Sequence, residues 1–268
     1  MSTPVLRSYL FVPGHRPDRF GKAVASGADA VILDLEDAVP ATEKAAAREH
    51  VSQWLSNQRP VIVRLNAFGT EWFHDDVAVC GQPGVAGVMV PKAEAEHVDV
   101  IRGHIRPTTY ILPIVETARG LWRAEALARS HQLQRLVFGA LDLGVELQVT
   151  GDEGLSAYRA LIVLLSRVAG LQPPIDAPTA TFTDLARVRD DAARARRDGF
   201  GGKLCIHPAQ IGPVHEAFAP TAEEVAWARR VIEADAASAG RATALDGSMV
   251  DRPVVERAKA ILAASRPQ

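Results

Sequence analysis

The chain has 268 residues, 47% of them hydrophobic and 23% charged, and a formal net charge of -2. These values are typical of a folded domain with a sizeable core, and they exclude both disorder and a broadly basic surface for nucleic acid. We find no signal-like amino terminus and no apolar run of about 18 residues, so we expect a cytoplasmic protein without a membrane partner. The two cysteines, Cys80 and Cys205, lack ligand spacing and are expected to be reduced core thiols.

Short apolar runs alternate along the chain with longer amphipathic stretches, which predict crossover helices such as one over 42–55 with Thr42 as its N-cap. Eight runs predict strands, at 9–12, 31–36, 61–66, 87–92, 110–116, 135–142, 174–177 and 203–207. Eight strands with helical crossovers predict an α/β fold, a closed (β/α)8 TIM barrel. An open doubly wound sheet is the competing fold, but the turn at 13–16 lacks the glycine pattern of a dinucleotide site.

The chain continues well past the eighth predicted strand. We expect residues 1–220 to form the barrel and residues 221–268 to form a C-terminal helical extension, with helices over 221–237 and 253–264 and a loop over 242–253. The extension is longer than one final barrel helix requires. It is therefore a candidate lid, or an arm exchanged between subunits.

Charged and polar residues end several of the predicted strands. If the strands are parallel, their carboxyl ends gather on one rim, where barrel enzymes bind their ligands. The residues expected there are Asp34, Glu36, Asp37, Arg64, Asn66, Lys92, Glu116, Asp142, Asp176 and His207. We expect His207 to be a hydrogen-bonded support, with a role as a base as the alternative.

Glu116 follows an apolar run that is typical of a strand buried on both faces. Asp142 ends the neighbouring predicted strand. Two carboxylates at the ends of adjacent strands repel each other unless a cation or a proton lies between them. Mg²⁺ prefers oxygen ligands and keeps several waters, so this pair would leave positions for substrate oxygens. The alternatives are a shared proton, salt bridges to Arg64 and Lys92, or, for Glu116, a favourable charge at the start of the next helix.

Arg64 follows a buried run and is expected at the rim, where its guanidinium suits bidentate hydrogen bonding to a substrate carboxylate or carbonyl. An internal ion pair with Glu36 or Asp37 is the alternative, and both roles are compatible. At least one of the acids Asp34, Glu36 and Asp37 is expected to be structural, either orienting Arg64 or accepting from metal-bound water.

Seven motifs resemble one known family, the citrate lyase beta-subunit-like proteins of the HpcH/HpaI aldolase superfamily, which include malyl-CoA and citramalyl-CoA lyases. The motifs are YLFVPG (9–14), VILDLEDAV (31–39), VRLN (63–66), VPK (90–92), PIVETARG (113–120), FGALDL (138–143) and CIHPAQ (205–210). The resemblance implies a Mg²⁺-dependent, or Mn²⁺-dependent, lyase that reversibly cleaves a 3-hydroxyacyl-CoA to acetyl-CoA and a 2-oxo acid.

The resemblance also implies site residues. Glu116 and Asp142 would hold the metal, Arg64 with Ala140, Leu141 and Asp142 would contact the substrate, and Glu36 and Asp37 would belong to the catalytic set. Coenzyme A, as part of the substrate, would lie along the rim near the basic residues Arg16, Arg19 and Lys22. Many relatives have an acid where this chain has Leu141, and Glu146, one helical turn on, could occupy that space.

The carboxy-terminal stretch 246–253, DGSMVDRP, resembles the family motif whose aspartate enters a neighbouring subunit as general acid or base. We assign Asp251 to this role, with Asp246 as the second choice and a helix cap as the alternative for Asp251. An arm of this kind predicts a homo-oligomer, for which relatives suggest a trimer. Three competing functions stay open: a malyl-CoA-type thioesterase, a CoA-independent 2-oxo acid aldolase, and a non-catalytic CoA-ester-binding subunit of a citrate lyase-like complex.

Overall fold

The computed structural model of the protein describes residues 6–238 and 243–265. Eight parallel strands close into a barrel in sequential order, with the last strand pairing with the first. The strands are β1 (Ser8–Pro13), β2 (Ala30–Asp34), β3 (Val61–Arg64), β4 (Val85–Val90), β5 (Tyr110–Val115), β6 (Val137–Phe138), β7 (Ile175–Asp176) and β8 (Gly202–Cys205). The predicted (β/α)8 barrel is confirmed.

Helices follow the strands. They are α1 (Phe20–Val24), α2 (Lys44–Trp54), α3 (Phe73–Cys80), α4 (Ala95–Arg102), α5 (Ala118–Trp122), α6 (Ala124–Ala128), α7 (Ala140–Leu147), α8 (Gly151–Val168), α9 (Leu185–Asp198), α10 (Ile211–Phe218), α11 (Ala222–Ala237) and α12 (Arg252–Ala264). Short 3₁₀ turns lie at Pro17–Arg19, Ala41–Glu43 and Pro208–Gln210. In the described part of the chain, no helix has the length and apolar character needed to cross a membrane.

The barrel interior is filled by one buried apolar cluster, with residues such as Ile62, Met89 and Leu112 alternating along the strands with residues that face the helices. Because the strands are buried on both faces, their sequences are nearly continuous apolar runs. That is why the strand count could be predicted correctly from the sequence.

A buried arginine lies at the amino ends of the strands. Arg135, just before β6, is 0% exposed. Its guanidinium donates hydrogen bonds to the carbonyl oxygens of Leu6, Pro173 and Pro174 and to the hydroxyl of Tyr9. These bonds join the starts of distant strands, so the side chain fastens this end of the barrel.

Two local predictions are wrong. The sixth strand covers only Val137–Phe138, because Gly139 becomes the N-cap of α7 and Asp142 lies in the first turn of that helix. Thr42 caps no helix; it lies inside the 3₁₀ turn Ala41–Glu43, and α2 starts after Glu43 without a side-chain cap. The apolar and helical patterns overlap at both places, and tertiary contacts decide the boundary.

The chain divides into two compact units, the barrel up to His215 and a second unit from Glu216 onward. The second unit contains α11 and α12, and its core includes Ala228, Val231 and Val255. In the described part of the expected 242–253 loop, residues 243–250 instead form an antiparallel hairpin of β9 (Thr243–Leu245) and β10 (Ser248–Val250). Its turn is Asp246-Gly247, with φ values of 52° and 78°, and this dipeptide favours such a tight hairpin turn.

Candidate active site

Arg64 is the last residue of β3 and lies beside Asp34, the last residue of β2, in the barrel register. Its Nε donates to Asp34 Oδ1 at 2.6 Å and its Nη2 to Asp34 Oδ2 at 2.7 Å, and Asp34 is fully buried. The guanidinium also lies over the ring of Phe11, 4.6 Å from its centroid. Burial opposes the charge of Arg64, but Asp34 and Glu36 outweigh it and raise its pKa. The arginine is thus a fixed, permanent cation at the rim.

The remaining arginine nitrogen, Nη1, faces two more acids. It lies 3.0 Å from Glu36 Oε2 and 3.3 Å from Asp37 Oδ2. Glu36 is buried, whereas Asp37 is exposed. Burial raises the pKa of Glu36 to about 7, although the charge of Arg64 lowers it. A carboxyl group that titrates near neutral pH is able both to take and to give a proton under ordinary conditions.

Glu116 directly follows β5 and is 5% exposed. Its Oε1 accepts a hydrogen bond from the backbone N–H of Lys92 at 2.8 Å. Lys92 has a φ of 47°, an uncommon conformation for a residue other than glycine, and its Nζ lies 3.4 Å from Glu36 Oε1. Burial, with the charges of Glu36 and Asp142, raises the pKa of Glu116 to about 8. The carboxylates of the rim are therefore close enough to repel one another.

A glycine lets the next strand approach Glu116. A Cβ added at Gly139 would lie 2.2 Å from Glu116 Cβ and 2.7 Å from Glu116 Oε2, so no larger residue fits there without a shift. The helix that begins after Gly139 carries Ala140, Leu141 and Asp142 in its first turn. Asp142 is exposed and Leu141 is 80% exposed. The carboxylate of Asp142 thus comes from a helix start and not from a strand end.

The residues present fit a magnesium ion. The ligands would be oxygen atoms of Glu116 and Asp142, which suit a hard cation, and a divalent charge would relieve their mutual repulsion. Over residues 6–238 and 243–265, no group of three or more His, Cys, Asp or Glu side chains is arranged to hold a metal. Two protein carboxylates would therefore leave the other coordination positions to water and substrate, as is usual for Mg²⁺.

Three residues expected on the rim have other surroundings. Asp176 is fully buried and pairs with Arg159 and Lys203, so its side chain faces the helices and not the rim. The side-chain amide of Asn66 donates to Asp76 at 2.6 Å inside the fold. His207 accepts from Ala209 N at 3.1 Å and caps the 3₁₀ turn Pro208–Gln210, in keeping with a support role.

The basic residues assigned to coenzyme A lie after β1. Arg16 forms two hydrogen bonds with Asp18, at 2.9 Å and 2.8 Å, so part of its charge is already neutralised. Arg19 and Lys22 are exposed. A role for all three with coenzyme A stays a prediction.

The two aspartates of the carboxy-terminal motif both lie in the second compact unit. Asp251 is the N-cap of α12, where its Oδ1 accepts from Val254 N at 3.3 Å. Asp246 occupies the hairpin turn and pairs with Arg230 at 2.7 Å. Each carboxylate thus has a structural partner, and the catalytic role given to Asp251 stays a prediction.

Sequence reasoning placed Lys92 on the rim, as an alternative salt-bridge partner of the acid pair, and gave Glu146 only a spatial role. Lys92 supplies a backbone donor to Glu116, while Glu146 Oε2 accepts from the backbone N–H of Ala118 at 2.9 Å. Nothing in the sequence signals the bond of Glu146, since it joins a side chain to a backbone group 28 residues away.

A closed parallel barrel with a buried glutamate, Glu116, and a fixed arginine at the carboxyl ends of its strands has the architecture of a barrel enzyme. The family model of HpcH/HpaI aldolase/citrate lyase matches residues 7–208. The chain belongs to this family, as the sequence resemblance indicated, and it is a carbon–carbon lyase.

Named relatives agree over nearly the whole chain. A citrate lyase subunit beta-like protein of Deinococcus radiodurans is 38% identical, with 96% of each chain covered. An L-malyl-CoA/beta-methylmalyl-CoA lyase of Cereibacter sphaeroides is 32% identical, with 96% of this chain and 93% of the relative covered. The crystal structure of CitE from Mycobacterium tuberculosis, in complex with magnesium, acetoacetate and coenzyme A, matches with a TM-score of 0.86 and 35% identity, covering 97% of this chain and 98% of that one.

Proposed function

We propose that this protein is a Mg²⁺-dependent CoA-ester lyase that reversibly cleaves a 3-hydroxyacyl-CoA of the citramalyl-CoA or malyl-CoA type to acetyl-CoA and a 2-oxo acid. The observation that carries this proposal is the buried Glu116, whose raised pKa reflects its burial and the nearby charges of Glu36 and Asp142. The solved relative with magnesium, acetoacetate and coenzyme A and the relative named as a malyl-CoA lyase support the cofactor and the substrate class.

Glu116 and Asp142 would hold the ion, and bound Mg²⁺ supplies Lewis-acid polarisation of the 2-oxo acid group. Arg64, fixed by Asp34, presents a permanent positive charge to the reacting carbonyl or carboxylate. The backbone N–H groups of Ala140, Leu141 and Asp142 belong to the first turn of α7, where they lack acceptors within the helix. They therefore suit the carboxylate of the 2-oxo acid.

Cleavage moves two protons. The 3-hydroxyl group loses its proton as the carbon–carbon bond breaks, and the bonding electrons pass to the thioester enolate, whose carbon then takes up a proton to give acetyl-CoA. We assign one of these transfers to Asp251 of a neighbouring subunit, acting as general acid or base. Glu36, whose pKa burial raises to about 7, and Asp37 flank Arg64 and complete the proposed catalytic set.

The direct test uses purified protein with MgCl₂ and either citramalyl-CoA or malyl-CoA. Pyruvate or glyoxylate and free thiol are assayed separately. We expect the oxo acid without stoichiometric free thiol. Thiol alone would establish a hydrolase and overturn the proposal, and neither product would favour a binding subunit. Cleavage of a free hydroxy acid that lacks CoA would instead establish a CoA-independent aldolase.

The Glu116→Gln variant tests the metal site. It removes a ligand charge but keeps the size of the side chain and its acceptor for Lys92 N. We expect turnover to fall by more than about 100-fold. Removing a hydrogen-bond partner of a metal ligand already lowers metal affinity or activity by roughly 10–100-fold, and here a ligand itself is changed. Circular dichroism should match that of the wild type. Near-normal turnover by the folded variant would remove Glu116 from the mechanism.

A thioesterase is the second candidate, because a (3S)-malyl-CoA thioesterase of Cereibacter sphaeroides is 34% identical to this chain. The barrel does contain a Ser–His–Asp grouping, but its geometry is not that of a nucleophilic triad. Ser8 Oγ lies 2.8 Å and Asp29 Oδ2 3.3 Å from the same ring nitrogen, Nε2 of His215, and Ser8 is fully buried. Hydrolysis through this serine therefore lacks support.

We also propose a homo-oligomer, with a trimer as the favoured form, in which Asp251 acts on a neighbouring subunit. Mixing inactive Glu116→Gln with inactive Asp251→Asn subunits, after dissociation and reassembly, should restore part of the activity. Light scattering gives the subunit number. Mixed subunits that stay inactive would contradict action between subunits. The cytoplasmic location stays a prediction.

A further inference from the structure

A hydrogen bond next to the acid pair has no role in the proposed chemistry. Glu146 lies on α7, and its Oε2 accepts from the backbone N–H of Ala118 at 2.9 Å. Ala118 is the first residue of α5 and lies two residues after Glu116. Its N–H belongs to a first helical turn, where no acceptor within the helix is available and the helix dipole favours an anion. A carboxylate is thus well matched to this position.

The same bond joins the two segments that carry the acid pair. Asp142 and Glu146 are four residues apart on α7 and therefore lie on one face of that helix. Glu116 and Ala118 belong to the segment that leaves β5. A link from Glu146 to Ala118 consequently fixes the separation of the two helices near Glu116 and Asp142.

Among the described residues, the backbone connections between these segments near Glu116 are the two residue pairs of β5 and β6 and the hydrogen bond from Gly139 N to Val115 O at 3.1 Å. All of them lie before α7 begins. Glu116 itself is held from another direction, by the backbone N–H of Lys92. The position of Asp142 relative to Glu116 therefore depends on how α7 is fastened to α5.

We propose that Glu146 is a positioning residue that holds α7 against the start of α5 and so sets the affinity of the Glu116 and Asp142 pair for a divalent cation. This inference rests on the proposed metal site. It assigns to Glu146 no contact with the substrate and no part in proton transfer.

The test is a titration of the full-length protein with Mn²⁺, in which electron paramagnetic resonance counts the free ion. We expect Glu146→Ala to weaken Mn²⁺ binding by about tenfold, the lower end of the usual effect of an outer-shell change. Glu146→Gln keeps an acceptor oxygen for Ala118 N, so its affinity should stay within about twofold of the wild type. Glu153→Ala, which removes an exposed acid from the first turn of α8, is the control for charge alone.

Two results would overturn the inference while the proposed metal site stands. In the first, Glu146→Ala binds Mn²⁺ like the wild type although Glu116→Gln has lost binding. In the second, Glu146→Gln binds Mn²⁺ as weakly as Glu146→Ala does, which assigns the effect to charge and not to the hydrogen bond. A wild type that binds no Mn²⁺ would overturn the inference together with the metal site. If the Glu146 variants showed the expected order of Mn²⁺ affinities but the protein had no lyase turnover, this inference would be supported and only the proposed reaction would be contradicted.

Discussion

An arginine lies at each end of the barrel, and the partners of the two side chains differ. At the carboxyl ends, Arg64 is surrounded by the carboxylates of Asp34, Glu36 and Asp37, and its side chain is 12% exposed. At the amino ends, Arg135 is 0% exposed and donates to backbone carbonyls and to Tyr9. Acids keep an arginine charged and oriented where a ligand can reach it, whereas neutral acceptors only fasten strands together.

The electrostatics agree with this division. Burial lowers the pKa of Arg135, in spite of its contact with Tyr9. For Arg64, the effect of Asp34 exceeds that of burial and the pKa rises. Charged side chains are thus concentrated at the carboxyl ends of the strands. At the amino ends, Arg135 links the strands although its burial costs desolvation energy. Substitutions at the carboxyl end should therefore lower activity more than stability, and substitutions at the amino end should do the reverse.

The largest effect on stability is expected for Arg135→Met. The substitution keeps much of the buried volume but removes the donor to the carbonyl oxygens of Leu6 and Pro173, whereas Pro174 O still accepts from Gly201 N at 2.9 Å. We expect a loss of about 3 kcal/mol in the free energy of unfolding, because each buried acceptor left unpaired costs roughly 1–3 kcal/mol. Urea denaturation measures the loss. If the variant were as stable as the wild type, the fastening role of Arg135 would be wrong.

The matching change at the other end is Arg64→Lys. Lysine keeps the charge but lacks the planar fork that binds both oxygens of Asp34 and also reaches Glu36. We expect kcat/KM to fall by about 30-fold, equivalent to about 2 kcal/mol of transition-state stabilisation, with a smaller change in melting temperature than Arg135→Met gives. Steady-state kinetics at saturating Mg²⁺ provide the measurement. Equal losses of activity and stability at both arginines would break the distinction between the two ends.

The sequence predicted the barrel because buried parallel strands are continuous apolar runs, and it predicted a charged rim because several runs end on a charged or polar residue. It did not predict which way a polar side chain faces. Asp176 ends β7 like a rim residue, yet it pairs with Arg159 and Lys203 under the helices. Side-chain direction alternates along a strand, so an error of one residue in register reverses it. The position of Asp142 on a helix likewise depends on where Gly139 ends the strand.

The acids of the rim predict an unusual response to pH. Burial raises the pKa of Glu36 to about 7 and that of Glu116 to about 8, both above the ordinary value of 4.5. At these two carboxyl groups, the folded, metal-free protein therefore binds more protons than the unfolded chain between pH 4.5 and about pH 8. Its stability should be greatest in the acidic part of this range and fall as the pH rises through the two folded pKa values.

Mg²⁺ should oppose this trend, because it binds the deprotonated carboxylates. The rise in melting temperature on adding Mg²⁺ is expected to be larger at about pH 8.5 than at about pH 6. Differential scanning calorimetry across this range, with EDTA-treated protein as reference, makes the measurement. Glu116→Gln should show a smaller pH dependence and a smaller response to Mg²⁺. A metal-free protein that gains stability from pH 5 to pH 8 would contradict the raised pKa values.

The smallest effect is expected for Tyr9→Phe, which removes one hydroxyl acceptor 2.8 Å from Arg135 Nη1. The same nitrogen still donates to Leu6 O, so the loss should be about 1 kcal/mol, the usual net value of one hydrogen bond. Activity should not change, because Tyr9 belongs to the amino end of the barrel. A double-mutant cycle sharpens the test: in the Arg135→Met background, Tyr9→Phe should cost almost nothing. An undiminished cost there would assign the stability to packing of the Tyr9 ring and not to the bond that fastens this end.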